Sequence, residues 1–524
     1  MVSATADLAS LRAPGRGLYG SGGVLFKDAI FGRDSAIAGQ DLILIAPEIA
    51  REVILTLAGL QGTREAPIGP HSNEEEPGKV HHEHRSLYVG SRRISPGSEV
   101  LLRELADRWG GDVAGLTYYG SVDATPLFAR LVIDYCRAHG GAMLGATFTR
   151  GDGSTATVRD SLVAALGWIT RKIDDSDLGF VEFLRRNPDG IPFQVWKDSG
   201  TSYVHSDGTL ANWDAPIAAV EVQAYAYDAL LGAGELLDRA EWRDRADLLR
   251  DRILSRLWSP GQGCFAMGID RGPDGNPRVI TSLASNGALL LDTRLFDGLP
   301  NAADYVAPMA RQICGPDFLT DVGVRCRAKS QAGLVGFQDY HGSWTVWPKE
   351  TFAVIRGLER QGLMRLARQL GNRLLNGVNA ARGNVEFLYV SPDGPVMYDF
   401  EARDIRAASP SPIAGTNQPE CPQAWTVSAA VALKHWYAHE SPLHPSPQHH
   451  DTWRDRLDSA VLGATPTVDA FSARSQIDAA YLGRGEFVLD LDKGRAMDRR
   501  ARVTHRGTEL AGFEDPGDSR GGRR

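Results

Sequence analysis

The chain has 524 residues, 43% hydrophobic and 23% charged, which suits a large globular core and excludes bulk disorder. Its 57 basic and 65 acidic residues give a net charge of −8, leaving no broad cationic surface for phosphate backbones, so nucleic acid is excluded as a main partner. Five scattered cysteines (Cys136, Cys264, Cys314, Cys326, Cys421) show no CxxC or zinc spacing, and no segment approaches ~20 uninterrupted apolar residues. Reduced thiols, a cytoplasmic location and no membrane span are the corresponding expectations.

Residues 1–25, an N-terminal extension, have neither a basic n-region nor a continuous apolar h-region. LYGSGGVLF lacks the Lys-Ser/Thr of a phosphate loop and reads as a turn. From Asp34 to about Cys136 apolar residues recur at three and four spacings, in SAIAGQDLILI, APEIAREVILTLAGLQG and SVDATPLFARLVIDYC. The Pro- and His-rich EAPIGPHSNEEEPGKVHHEHR between them cannot continue a helix and reads as a long loop. TVRDSLVAALGWITRKI, APIAAVEVQAYAYDALLGAGELLD and EWRDRADLLRDRILSRLW continue the helical pattern, the last two joined by a short turn. SNGALLLDTRLF, ADYVAPMARQIC, KETFAVIRGLERQG, LMRLARQLGNRLLNGVNAA and PQAWTVSAAVALKHWY complete about a dozen helices in hairpins, with almost no two-residue alternation to suggest sheet. No short repeated consensus supports a solenoid, so the predicted fold is all-α, an (α/α)6 toroid with long loops over a pocket. It is assigned to residues 26–440, followed by an appendage over 441–490 and a charged, Gly-rich tail over 491–524 expected to be disordered.

Polar clusters with aromatic neighbours recur in the loops: FGRDSA, EEPGKVHHEHR, YYGSVDATP, QVWKDSG, YHGSWTVWP, NVEFLYV and CPQAWT. Sugar sites are built this way, because a pyranose offers apolar CH faces to aromatic rings and hydroxyls to Asp, Arg and Gln. Glycosidic cleavage needs one protonated carboxyl and a second carboxyl acting on water or on the anomeric carbon. Asp198, between Trp196 and Ser199, is the candidate acid, its pKa raised by an aromatic wall; an Asp before Ser-Gly suits a turn or helix cap as well. Glu386, between Val385 and Phe387, is the candidate second carboxyl, or else an outward-facing residue of a short strand. Arg33 and Asp34 suit adjacent sugar hydroxyls, whereas a plainer role has Asp34 or Ser35 capping the next helix. His81, His82, Glu83 and His84 do not fall on one helix face, so no metal and no cofactor is expected.

In order, FGRDS, EEPGKVHHE, YYGSVDATP, VWKDSG, VEVQAYAY, YHGSWTVWP and CPQAW resemble the catalytic domain of the bacterial and archaeal amylo-alpha-1,6-glucosidase (glycogen-debranching) family, related to glucoamylase-like and trehalase-like hydrolases. The likeness runs from about Leu18 to about Tyr437. It implies an inverting glycoside hydrolase acting on an oligosaccharide or polysaccharide α-glucoside, with its acid on Asp198 and its base on Glu386. It also implies sugar contacts at Arg33, Asp34, Glu83, Tyr119, Asp123, Trp196, Lys197, His341, Trp347, Gln423 and Trp425. A small α-glucoside or a glucosyl- or mannosyl-glycerate solute is the alternative substrate, and a phosphorolytic enzyme, a histidine-dependent sugar epimerase or isomerase and a non-catalytic glycan-binding protein on the same toroid are the rival functions.

Overall fold

The computed structural model describes residues 3–391, 394–396, 419–465, 487–490 and 495–498, apart from positions 24, 113, 337–338, 446–448 and 450. Six elements form an inner ring. They are α2 (Gly32–Leu42), α5 (Ala124–His139), α7 (Val220–Leu236), a 3₁₀ helix (Ser285–Asp292), α10 (Pro348–Arg360) and α12 (Ala424–His439). Each packs on the next, and α12 packs back on α2, so the ring closes. Outside it, α3 (Pro47–Gly59), α6 (Val158–Asp175), α8 (Ala240–Arg256), α9 (Ala302–Ile313) and α11 (Met364–Ala380) each back onto the inner element before them. The sixth outer position is filled by α1 (Ala4–Ser10), which packs on α12. The fold is thus all-α, the (α/α)6 toroid expected from the sequence.

Side-chain pattern separates the two rings. In α7 nearly every residue from Val220 to Gly234 is buried, as a helix apolar on all sides must be. Its neighbour α8 buries Ala246, Leu249 and Ile253, one stripe at helical spacing, and turns its charges to solvent. Gly357 lets α10 approach the 3₁₀ helix, since a Cβ there would lie 2.7 Å from the Leu291 side chain. The ring's centre is polar as well as packed. Arg356 of α10 reaches Asp41 of α2 at 2.8 Å and Asp292 at 3.1 Å, while Arg130 of α5 pairs with Asp228 of α7 at 3.2 Å.

The structure departs from the sequence reading in several places. SNGALLLDTRLF forms 3₁₀ turns (Ser285–Asp292 and Arg294–Phe296) and no α-helix. A further helix, α4 (Pro96–Trp109), lies in a stretch that the periodicity did not single out; Ser95 caps its first turn and Gly110 ends it in a left-handed conformation. Sheet is present as short antiparallel pairs. Ala29–Phe31, Glu83–Ser86 and Gly115–Tyr118 form one sheet, and Thr345–Val346 pairs with Leu388–Ser391. Ala29–Phe31 runs directly into α2 and Thr345–Val346 nearly into α10, so these strands help shape that end of the ring. The long 64–85 segment is packed inward as well, with Glu74, Glu76, Lys79 and His81 buried. Of the expected appendage, α13 (Thr452–Ala464) packs on α9 and α11. Most of 466–524, including all of the expected tail except 495–498, lies outside the described residues.

The Arg356 guanidinium should matter to stability out of proportion to its size, because removing it strands two buried carboxylates. Arg356→Leu is expected to cost about 3–5 kcal/mol in chemical denaturation, the range for breaking a buried pair. A loss below about 1 kcal/mol would show that the ring does not depend on this contact.

Candidate active site

The N-terminal ends of the inner elements meet at one place, and their first turns supply its charged groups. Arg33 and Asp34 come from α2, Asp123 from the residue preceding α5, Glu221 from α7, Ser285 and Asn286 from the 3₁₀ helix, and Lys349 and Glu350 from α10. The positive end of a helix dipole favours carboxylates at these positions. Cations stitch them together. Arg33 Nε lies 3.0 Å from Asp123 Oδ2, and Lys197 Nζ donates to Ser285 Oγ, Asn286 Oδ1 and the Cys326 carbonyl, each at 2.8 Å, and lies 3.2 Å from Glu350. Asn286 in turn donates to Glu221 at 3.1 Å.

Asp198 sits in an irregular segment next to this cluster, not at a helix end. The Tyr340 hydroxyl donates to its Oδ1 at 3.0 Å, and Arg33 Nη1 is 3.8 Å from its Oδ2. Its side chain keeps 24% of its surface exposed against 5% for Arg33, so it is the more accessible partner of the pair. Burial raises its pKa to about 6, against the lowering effect of Arg33 and of the Tyr340 hydrogen bond. Asp34 does not cap α2, whose N-cap is Phe31 with no side-chain bond. Buried beside Arg33 and Lys349, which pull the other way, its carboxyl is pushed up to about 7.

Glu386 precedes the strand Leu388–Ser391 and is buried, not turned to solvent. Its Oε2 accepts the Glu420 main-chain N–H at 3.1 Å and its own N–H donates to the Glu420 carbonyl at 2.9 Å; among the described residues Oε1 has no hydrogen-bond partner. Burial drives its pKa well above the usual carboxylate range. The Glu420 N–H opposes this, and the charges of Glu420, Asp34 and Asp198 reinforce it. The Glu420 carboxylate is turned to the N-terminal segment, accepting Ser21 Oγ at 2.6 Å and the Leu25 N–H at 3.1 Å.

Trp196, Trp347, Phe387, Tyr389 and Trp425 form an aromatic wall around these groups. Trp347 stacks on His341 and Phe387 at centroid distances of 5.0 and 5.1 Å, and its Nε1 donates to the Tyr340 carbonyl. The structure therefore brings together Arg33, Asp34, Asp123, Trp196, Asp198, His341, Trp347, Glu386 and Trp425. Gln423 stands at the N-cap of α12, where its Oε1 accepts the Ala424 N–H and its buried Nε2 has no partner among the described residues.

Three expected sugar contacts are otherwise engaged. The Lys197 ammonium is consumed by the four protein partners beneath Trp196. Tyr119 donates its hydroxyl to the Leu60 carbonyl at 2.9 Å, and Glu83 is held by the guanidinium of Arg85 on the same strand. His82 packs with Phe31, Trp109 and Tyr118, whereas His341 lies in the Trp196–Trp347 cluster; the two do not pair as a sugar isomerase would require. The sequence reading passed over Tyr340, Lys349, Glu221 and Glu420. Tyr340 stands beside His341, and Lys349 two residues after Trp347 at a Pro-initiated helix start, so both were within reach of the motif that named their neighbours.

No family profile matches the sequence, and no curated protein is significantly similar to it. Solved structures do match. The GH63 mannosylglycerate hydrolase from Thermus thermophilus in complex with glucose superposes with a TM-score of 0.51 at 15% identity, over 82% of this chain and 99% of that one. The same hydrolase with Tris and D-glycerate gives 0.50 at 15% identity, over 82% and 98%. An uncharacterized conserved protein from the same organism gives 0.51 at 15%, over 82% and 98%. At this identity the likeness carries the fold. The molecule is an (α/α)6 toroid with a carboxyl-rich centre walled by aromatic rings.

The Asp198–Tyr340 contact has a measurable consequence. The hydroxyl stabilises the ionised carboxylate, so Tyr340→Phe should move the Asp198 titration above about 6, followed by the carboxyl carbon resonance in NMR. A titration that stays put or moves lower would show that the hydrogen bond is not made in solution.

Proposed function

We propose that this protein is an inverting glycoside hydrolase in which Asp198 is the general acid and Glu386 the general base. The observation that carries the reading is the pair of carboxyls with unlike surroundings, Asp198 partly exposed and Glu386 buried. Asp198 has its pKa raised to about 6 by burial while its side chain stays partly exposed, so it can carry a proton to a glycosidic oxygen. Glu386 is anchored through one oxygen and, among the described residues, has no partner for the other; burial raises its proton affinity too, so it takes a proton from water through that oxygen only once ionised. Arg33 steadies the charge left on Asp198 after transfer. The free Oε1 of Glu386 would orient a water toward the anomeric carbon from the opposite side.

Enclosure favours a small α-glycoside over a branched polysaccharide. Asp34, Trp196 and Trp425 are 6%, 2% and 5% exposed, which suits a pocket receiving one sugar ring and a compact leaving group. A glucosyl- or mannosyl-glycerate-type solute fits this description, and the mannosylglycerate hydrolase of T. thermophilus shares the fold. The ordered motifs keep the debranching reading as the second possibility.

Wild type, Asp198→Asn and Glu386→Gln should be compared on α-glucosides, α-mannosides, their glycerate conjugates and a branched maltodextrin, with the released anomer followed by NMR. Wild type is expected to release the β-anomer from an α-linked small substrate, and each variant to lose roughly 10²–10⁴-fold in rate. Accumulation of the α-anomer would replace inversion by a covalent intermediate, and absence of cleavage across the panel would defeat the hydrolase reading.

A further inference from the structure

Three cations enter the carboxyl-rich centre, and two are spent. Arg33 is paired with Asp123, and Lys197 is saturated by Ser285, Asn286, Cys326 and Glu350. Lys349 is different. It is 4% exposed, its Nζ rests 3.9 Å from the centroid of the Trp196 ring, and among the described residues it makes no hydrogen bond or ion pair. The ring face steadies the charge but accepts none of the three ammonium protons in a conventional hydrogen bond. Such a group, buried and without an acceptor, calls for one from outside the protein.

Asp34 is its counterpart. The carboxylate is 6% exposed and likewise makes no hydrogen bond or ion pair among the described residues, although Lys349, Arg33 and Asp198 all act on it electrostatically. The pocket thus holds a donor and an acceptor that the protein does not use, both in first turns of inner helices. A hydroxyl satisfies both at once: its oxygen accepts from an ammonium and its proton goes to a carboxylate. An anionic group would suit Lys349 but would meet Asp34, Asp198 and Glu386, whose charges already raise one another's proton affinity.

We propose that Lys349 is a specificity-determining residue of the sugar site, donating to a free hydroxyl of a neutral glycone whose proton is taken by Asp34. The site then selects an uncharged sugar unsubstituted at that hydroxyl. Because the ammonium covers one face of Trp196, the sugar meets that residue past Lys349 and does not stack flat on that face of the ring. The assignment rests on the glycosidase reading for its ligand class. A purely structural Lys349, pinning Trp196 and with it the Asp198 segment, would make no distinction among sugars that differ by one hydroxyl.

The test is calorimetric binding of glucose, mannose and their monodeoxy analogues to wild type, Lys349→Met and Lys349→Gln, each first shown to unfold cooperatively, alongside turnover of the matching glycosides. One monodeoxy sugar should bind wild type roughly 10- to 100-fold more weakly than its parent, the range for a hydrogen bond to a charged group. Lys349→Met should lose a similar factor on the parent and no longer distinguish the two. Lys349→Gln keeps a neutral donor, serves if the Met variant does not fold, and should show reduced discrimination. The proposal is overturned if either folded variant discriminates as wild type does, if affinity drops by the same factor for every sugar, or if wild type binds none of them. Sugar discrimination without cleavage of any glycoside would sink the hydrolase reading and leave Lys349 standing. Cleavage with unchanged discrimination in the variants would do the reverse.

Discussion

Six inner-ring N-termini aimed at one small volume are the constraint from which the rest of this structure follows. Each presents the positive end of a dipole, so the space between them attracts negative charge. Asp34, Glu221 and Glu350 in first turns, and Asp123 just before one, answer that demand. Carboxylates so close together in a dry site repel one another, and Arg33, Lys197 and Lys349 are the cations that allow them to coexist. At the other end of the same helices, the Arg356 and Arg130 pairs with Asp41, Asp292 and Asp228 tie the inner ring through its axis.

Neither proposed catalytic carboxyl sits on an inner helix. Asp198 and Glu386 belong to loops, and the ring fixes the loops from below. Lys197, the residue before Asp198, is driven into the ring floor, which locks the segment while the next side chain turns toward Tyr340. Glu386 is fixed by the main chain at Glu420, which is clamped to the N-terminal segment by Ser21, a contact between residues 399 apart in sequence. A Cβ on Gly23 would fall 2.0 Å from the Glu420 carboxylate, so a larger residue there would displace that side chain from the clamp. The helices supply a rigid electrostatic frame, and the loops place proton donor and acceptor within it.

The toroid was legible in the sequence because its two rings have different patterns, an α7 buried on nearly all sides beside the one-striped, charged α8. Much of the candidate site could be picked out because aromatic and acidic residues recur together, at a helix start in FGRDS and in a loop in VWKDSG. The rest depended on side-chain direction, which spacing does not encode. Lys197 and Asp198 are adjacent yet turn to opposite tasks, and Tyr119 lies beside Tyr118 in a motif of the right kind but bonds the Leu60 carbonyl. The α4 helix was missed although Ser95, Pro96 and Glu99 mark its start, because its apolar stripe is narrow; it buries Leu102, Ala106 and Trp109. Closure of the ring by α1 left no local trace, because it is a contact between the two ends of the described chain.

The most direct test of the account is a crystal structure of the Glu386→Gln protein holding an uncleaved glycoside. The account predicts the sugar ring inside the circle of inner-helix N-termini and the glycosidic oxygen within about 2.6–3.2 Å of the Asp198 carboxyl. It also predicts the side chain at 386 on the opposite face, about 6.5–9.5 Å from Asp198. A ligand outside that circle, a glycosidic oxygen turned away from Asp198, or carboxyl positions only about 5 Å apart would contradict it.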